Sequence, residues 1–161
     1  MARKTAYAAA TMTVTMSEAI NINNKDYGST QSFTIASIAN VDRRIVTVTT
    51  TEHTIMSFAS AMAAGTMIPA KVMYMRFTNL DDTNYIALTF TNESNDEVAI
   101  KLDAGNSFIW TGDNSGGMVD VFNATEAADA NSDQALGDMK TVQADANTGS
   151  CDMEVFVAEI A

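Results

Sequence analysis

Hydrophobic and polar residues alternate with a period of two along most of the chain. Near the N-terminus, for example, Met12, Val14 and Met16 are separated by threonines. Because successive side chains of a strand point to opposite faces, this alternation predicts strands that bury one face and expose the other. The pattern predicts about eight strands, at residues 11–16, 32–38, 44–51, 72–79, 85–92, 97–102, 107–111 and 151–160, with a further short strand at 140–144.

Clusters of Asn, Asp and Gly separate these strands. Strands spaced by roughly ten residues with such turns are typical of an antiparallel sandwich or a small barrel. The fold prediction is therefore all-β: an antiparallel, jelly-roll-like β-sandwich with one or two short helical turns, at residues 57–64 and 124–130. Residues 11–161 are predicted to form this single domain, and residues 1–10 an N-terminal arm.

The composition excludes several classes of protein. The chain has 161 residues, which suits one domain, and 47% of them are hydrophobic, which excludes wholesale disorder. The net charge of −11 argues against a nucleic-acid partner, because sequence-independent binding depends on Lys and Arg at phosphates. One Cys cannot form an intrachain disulfide, and one His with one Cys cannot build the usual zinc sites.

Membrane and export signals are also missing from the pattern. No stretch approaches the roughly 20 consecutive apolar residues of a spanning helix. Arg3 and Lys4 resemble the charged start of a signal peptide, but no continuous apolar run follows them. The expectation is a protein that is used without export and has no membrane partner.

Charge is distributed unevenly along the sequence. Residues 1–80 contain seven Lys and Arg against four Asp and Glu, a net charge of +3. Residues 81–161 contain two Lys against sixteen Asp and Glu, a net charge of −14. If the two halves occupied different faces, the molecule would be polar and suited to oriented docking. The alternative is an acidic outer surface that keeps a dense assembly soluble.

Residue types that carry catalysis are scarce. His53 follows Glu52, but neighbours in a strand point to opposite faces, so this pair lacks the geometry of a base and its orienting carboxylate. Cys151 has the apolar parity of the last predicted strand and is expected to be buried and unreactive. The sequence therefore predicts a protein that is not an enzyme and uses no cofactor and no small-molecule substrate.

Calcium is the metal for which the acidic half offers oxygen ligands. Residues 129–133 match the first ligand positions of an EF-hand loop, but Gln134 replaces the required Gly and Lys140 the bidentate Glu. Two acidic pairs offer an irregular alternative at a sandwich edge: Asp81 with Asp82, and Asp113 with Asp120. Since acidic turns usually serve only as turns, no metal site is predicted.

Three segments of this chain resemble small β-rich virion structural proteins of tailed bacteriophages. They are the opening SEAININ with YGSTQSFTIASIANVDRRIVTV, the central VMYMRFTNLDDTNYIALTFTNESNDEVAIKLDAGNSFIW, and the closing CDMEVFVAEI. The resemblance implies a capsid-decoration or tail-associated role and no active site. It also implies that the chain self-associates and binds other virion proteins, above all the major capsid protein, in particles assembled in the host cytoplasm.

The expected function is that of a non-enzymatic virion protein that decorates or stabilises a capsid. One alternative is a tail tube, collar or fibre-base subunit, and another is a calcium-dependent carbohydrate- or receptor-binding module. The candidate assembly interface consists of the cationic and aromatic residues Arg3, Lys4, Tyr7, Arg43 and Arg44. An arm that becomes ordered on a neighbouring subunit would use the first three.

Overall fold

The computed structural model describes residues 8–61, 63, 65–93, 95–111 and 139–161. Within this part of the chain the fold is all-β, as predicted, with one short 3₁₀ turn at Pro69–Lys71. No helix in the described residues is long and apolar enough to cross a membrane. The strands are β1 (Ala10–Glu18), β2 (Asn21–Ile22), β3 (Lys25–Asp26), β4 (Ser29–Val48), β5 (His53–Phe58), β6 (Thr66–Met67), β7 (Val72–Asn79), β8 (Ile86–Asn92), β9 (Glu97–Leu102), β10 (Ser107–Thr111), β11 (Met139–Ala146) and β12 (Cys151–Ile160).

The strands form two five-stranded sheets and one small hairpin. Sheet 1 has the order β1-β4-β12-β7-β10, and sheet 2 has the order β6-β5-β11-β8-β9. Among the described residues, all pairs are antiparallel except β5 with β6, and β2 and β3 pair only with each other. The predicted antiparallel sandwich is confirmed. A jelly roll has eight strands in all, whereas each sheet here has five, so the jelly-roll detail is not confirmed.

Aromatic side chains fill the space between the two sheets. Phe90 of sheet 2 lies between three rings of sheet 1, with ring centroids 4.7 Å from Trp110, 5.6 Å from Phe108 and 6.0 Å from Phe77. Edge-to-face arrangements of this kind add to the stabilisation that burial of the rings provides. The alternating apolar residues of β7, β8, β11 and β12 supply most of the remaining core.

Two predictions about individual elements are wrong. Residues 32–38 and 44–51 do not form separate strands, because β4 runs without interruption from Ser29 to Val48. The helical turn predicted at residues 57–64 does not form at its start, since Ser57 and Phe58 belong to β5 and pair with β6. Pairing with neighbouring strands overrides the weak helix preference of a small-residue segment. The helical turn predicted at residues 124–130 lies outside the described residues.

Candidate functional site

The candidate catalytic residues do not form a catalytic group. The ring of His53 contacts the backbone oxygen of Thr51, 3.3 Å from Nδ1. Cys151 is buried, and burial, followed by the nearby Asp81 and Asp152 charges, raises the pKa of its thiol. A thiol with a raised pKa carries little thiolate at neutral pH and is a poor nucleophile. The surroundings of His53 and Cys151 are therefore not those of a catalytic base and its nucleophile.

Of the acidic groups considered as calcium ligands, the structure describes only the pair Asp81 and Asp82. Asp81 uses its carboxylate within its own turn, where Oδ1 accepts hydrogen bonds from the backbone N–H groups of Asn84 (2.6 Å) and Thr83 (2.8 Å). Within the described ranges, no group of three His, Cys, Asp or Glu side chains is placed to hold a metal ion. The pair Asp113 and Asp120 lies outside those ranges, as do residues 129–133.

The turn at Asp81 makes a contribution to stability that depends on pH. The two backbone N–H groups, that of Asn84 first, hold the pKa of Asp81 below its usual value of 3.8. A lowered pKa in the folded state stabilises the fold above the unfolded pKa, and this stabilisation is lost as pH falls through the folded value.

We expect the Asp81→Asn variant to unfold more easily than wild type near neutral pH, and the difference to shrink as pH falls below about 4. The amide oxygen can still accept the two hydrogen bonds, but it carries no charge and does not titrate. Urea unfolding of both proteins across this pH range measures the difference. A difference that stays constant with pH would contradict the prediction.

The outer face of sheet 1 carries a three-residue ion cluster. Glu154 lies on β12 between Arg43 of β4 and Arg76 of β7. Its Oε2 lies 2.6 Å from Nη2 of Arg43, and its Oε1 accepts a hydrogen bond from Arg76. The guanidinium of Arg76 also lies over the ring of Phe156, 5.8 Å from its centroid. Glu154 is largely buried, whereas 67% of the Arg43 side chain is exposed.

Apolar side chains accompany this ion cluster on the same face. Ile45 and Val41 flank Arg43 at the same parity of β4, and they are 62% and 50% exposed. The outer face of a two-layer antiparallel sandwich is usually polar, because it meets water. This face therefore presents exposed aliphatic side chains beside an arginine, a residue type that is enriched in protein interfaces.

The structure describes two of the five predicted interface residues. Arg3, Lys4 and Tyr7 lie outside the described residues. Arg43 and Arg44 are adjacent and therefore point to opposite faces of β4. Arg44 points toward sheet 2 and donates a hydrogen bond to the backbone oxygen of Ile55 on β5 (2.9 Å). It also pairs with Asp42 of its own strand, and burial lowers its pKa.

Among the residues that the structure describes, the two halves of the sequence also do not separate into two faces. β12 of the acidic half lies between β4 and β7 of the basic half. As a result, Glu154 neutralises charge from both Arg43 and Arg76 rather than facing away from them. The polarity expected from the sequence halves is therefore absent from sheet 1, because the strand order interleaves them.

A projecting β-ribbon is the most distinctive surface feature. We define it as residues 15–32, in which the ends of β1 and β4 are joined through the β2–β3 hairpin. At about 3.3 Å per residue, this segment extends roughly 25 Å from its base to its turn. Every residue from 17 to 32 is exposed except Gly28, which is half-buried. The ribbon therefore makes little contact with the rest of the described chain.

Local chemistry explains why the ribbon forms. Asn23 and Asn24 have φ values of 52° and 63°, which suit the two-residue turn that matches the twist of a hairpin. At Gly28 a Cβ atom would lie 2.4 Å from the backbone oxygen of Glu18, so only glycine fits there without a shift of the chain. Hydroxyl pairs connect the strands farther back, 3.0 Å apart in each case: Thr15 with Ser32, and Ser17 with Thr30.

The tip of the ribbon exposes three large hydrophobic side chains. Ile20, Ile22 and Tyr27 are 50%, 51% and 57% exposed. Nζ of Lys25 lies over the Tyr27 ring, 5.0 Å from its centroid. The predicted strands at residues 11–16 and 32–38 leave the segment between them as a connector, so the prediction misses this tip. The signal was present, because Asn-Asn between residues of strand character is a hairpin pattern.

The base of the ribbon is fixed to the sandwich. Val14 and Ile35 are buried in a second hydrophobic cluster with Tyr74 and Ala158 on the outer face of sheet 1. Beside them, β4 has a bulge, and Ser37 takes a positive φ of 63°. These contacts set the direction in which the ribbon leaves the body.

A buried carboxylate holds β4 to β12 next to this base. Glu159 is fully buried, and its Oε2 accepts a hydrogen bond from Nδ2 of Asn40 (2.7 Å). Its Oε1 has no partner among the described residues. The pairing of β12 shifts register between Glu159 and Ile160, so the Asn40 contact lies at the point where β4 departs from a regular ladder.

A scan against protein-family models, a search of curated proteins and a search of solved structures each returned no match.

Proposed function

We propose that this chain is a non-enzymatic structural subunit of a virion, which associates with itself and decorates or braces a capsid. The major capsid protein is the proposed partner in the shell. The observation that carries the proposal is the projecting ribbon, because it places hydrophobic side chains far from the protein's own core. The virion context comes from the sequence resemblance to phage structural proteins.

The ribbon has the properties of a contact element. An isolated two-stranded ribbon has marginal stability in water, so ordering it without a third strand or a covering layer is unfavourable. Exposing Ile20, Ile22 and Tyr27 together at its tip adds apolar surface to water. A neighbouring subunit that covers the tip would remove both costs at once. Tyr at such a position is also typical of residues that contribute strongly to binding.

The mechanism of stabilisation would be thermodynamic linkage. A subunit that binds the assembled shell, but not the separated shell proteins, shifts the equilibrium toward the shell. The exposed face around Arg43 offers a second contact at which the body of the subunit can lie against a neighbour. Two contacts on one rigid subunit would bind more tightly than either contact alone.

The proposal is tested by mixing purified protein with capsids that lack it. We expect saturable binding, a measurable heat of binding and a higher temperature of capsid disruption. Electron microscopy of native particles with the labelled protein then distinguishes a position on the head from a position on the tail. Binding to tails alone would favour the tail-subunit alternative, and no binding to either structure would refute the virion role.

The tip residues provide a sharper version of this test. We expect the triple variant Ile20→Ser, Ile22→Ser and Tyr27→Ser to weaken capsid binding at least about tenfold, because the removed side chains are those that would be buried on contact. Its unfolding midpoint should stay close to wild type, since these side chains are exposed. Titration calorimetry and thermal unfolding measure the two effects. A matched control is Leu80→Ser, which removes another exposed hydrophobic residue outside the ribbon.

A further inference from the structure

We infer that β1 pairs with β1 of a second copy of this chain across a two-fold axis at Val14, which joins the two copies of sheet 1 into one continuous sheet. This inference deepens the proposed function and rests on its claim of self-association. It specifies the strand, the register and the symmetry of the contact.

The first observation is that β1 is a long edge strand of sheet 1. β1 lies at the end of sheet 1 and, within the described part of the chain, has a partner strand only on the β4 side. Its nine residues contain no Pro and no Lys or Arg, and their single charge is Glu18 at the last position. A long edge of this kind exposes unpaired backbone N–H and C=O groups, which another strand can satisfy.

The other edges of the two sheets are shorter than β1, and one of them carries charges. β9 carries Glu97 and Lys101, and charges on an edge strand oppose pairing with another chain. β6 contains only two residues, and β10 contains five. Short edges offer few backbone groups to a partner. The contrast within one molecule singles out β1 as the edge built for contact.

The second observation is that the sequence of β1 is nearly symmetric about its centre. Val14 is the middle residue of Ala10–Glu18, with Thr13 and Thr15 on either side and Met12 and Met16 beyond them. An antiparallel pair of identical strands related by a two-fold axis at Val14 places each residue opposite its mirror position. This arrangement is the isologous contact expected of a symmetric dimer.

The symmetric register matches both faces of the strand. Met12 would lie opposite the partner's Met16, and Thr13 opposite the partner's Thr15. Threonine pairs and apolar pairs directly opposite each other stabilise antiparallel sheets. Glu18 would face the partner's Ala10, so the only charge of the strand meets no like charge. A two-fold axis at residue 13 would pair only residues 10–16. An axis midway between residues 13 and 14 would place each threonine opposite an apolar residue of the other copy.

The apolar face also continues across the proposed contact. Met12 and Val14 already pack in the second hydrophobic cluster on the outer face of sheet 1. The two clusters would become neighbours in the dimer. The hydroxyl-bearing face, which includes Thr13 and Thr15, would remain toward water on both copies.

The experiment uses charges whose effect depends on the register. In the double variant Thr13→Lys with Thr15→Lys, each new lysine lies opposite a lysine of the other copy, so the dimer should weaken at least about tenfold. In the double variant Thr13→Lys with Thr15→Glu, each lysine lies opposite a glutamate, and the dimer should persist. Sedimentation equilibrium measures the mass relative to the 17.2 kDa monomer.

A matched control places the same two charges on the neighbouring strand. Thr30 and Ser32 are exposed residues of β4 that pair with Ser17 and Thr15 of β1. The double variant Thr30→Lys with Ser32→Lys should keep the wild-type dimer affinity at about 0.15 M salt, since its charges are one strand farther from the axis. Circular dichroism and thermal unfolding of each variant establish that the monomer is folded.

The outcomes separate this inference from the proposed function. A wild-type protein that is monomeric at every soluble concentration overturns the β1 dimer, whereas saturable capsid binding by that monomer would leave the virion role intact. Equal dissociation of the Lys/Lys and Lys/Glu variants overturns the register at Val14. If the protein self-associates and neither double variant changes its affinity, the contact lies on another surface and the β1 dimer is overturned.

Discussion

Replacing Phe90 with alanine is expected to lower the free energy of unfolding by about 3–5 kcal/mol, a large part of the stability of a domain of this size. Phe90 is 2% exposed, and its ring contacts Phe77, Phe108 and Trp110 from the opposite sheet. Truncation would remove contacts on several sides and leave a cavity that rigid strands cannot close. Urea unfolding followed by tryptophan fluorescence and circular dichroism measures the change.

A matched truncation separates lost packing from the mere removal of an aromatic ring. Tyr27 is 57% exposed at the ribbon tip, so Tyr27→Ala should change the free energy of unfolding by less than about 0.5 kcal/mol. The two variants should therefore differ strongly in stability. Similar losses in both would mean that Phe90 does not bridge the sheets, or that the ribbon packs against the body.

Replacing Asn79 with alanine is expected to cost about 3 kcal/mol of unfolding free energy, because it leaves buried polar groups without partners. Asn79 is fully buried. Its Nδ2 donates to the backbone oxygens of Asn84 (2.8 Å) and Leu102 (3.1 Å), and its Oδ1 accepts from the backbone N–H of Asp81 (3.0 Å). One amide thus ties the end of β7 in sheet 1 to the chain around β8 and β9 in sheet 2.

The aspartate variant distinguishes hydrogen bonding from side-chain volume at this position. Asn79→Asp preserves size and the acceptor but replaces the donor with an oxygen that faces two carbonyl oxygens. We therefore expect Asn79→Asp to be at least as destabilised as Asn79→Ala near neutral pH. Asn21→Ala, at an exposed position of the ribbon, is the control and should be close to wild type in unfolding experiments. An aspartate variant as stable as wild type would show that the donor contributes little.

The alternation of hydrophobic and polar residues predicts the first and last residues of four strands correctly. Val72–Asn79, Glu97–Leu102, Ser107–Thr111 and Cys151–Ile160 have the predicted bounds. Each of these strands has turn residues next to it, and the alternation within it reports which face meets a core. These signals are local, so they can be read without knowledge of the partner strand.

Other features depend on contacts between distant residues. β5 escapes prediction because the residues around Ser57 are small and weakly patterned, and only pairing with β6 and β11 makes them a strand. The continuous course of β4 likewise reflects its successive partners, first β1 and then β12. Propensity acts within a few residues, whereas these pairings join residues as far apart as Arg43 and Glu154.

The candidate contact surfaces also combine local sequence signals with contacts between distant residues. Grouping Arg43 with Arg44 follows from their adjacency, although the period of two already places them on opposite faces. That Glu154 would neutralise Arg43 is not visible in the sequence, because it follows from the position of β12 beside β4. The near-symmetry of β1 about Val14 is readable in the sequence, but its meaning depends on knowing that β1 is an edge.

The sequence by itself determined the all-β class and the bounds of four strands, because the alternation of side chains and the turn residues act over short distances. The tertiary structure alone decided the order of the strands, the interleaving of the basic and acidic halves, and the projection of residues 15–32 from the body. Strand order is set by which apolar faces pack together and which backbone edges find partners. Those choices are made between segments far apart in the chain, where the free energy of the whole core selects one arrangement.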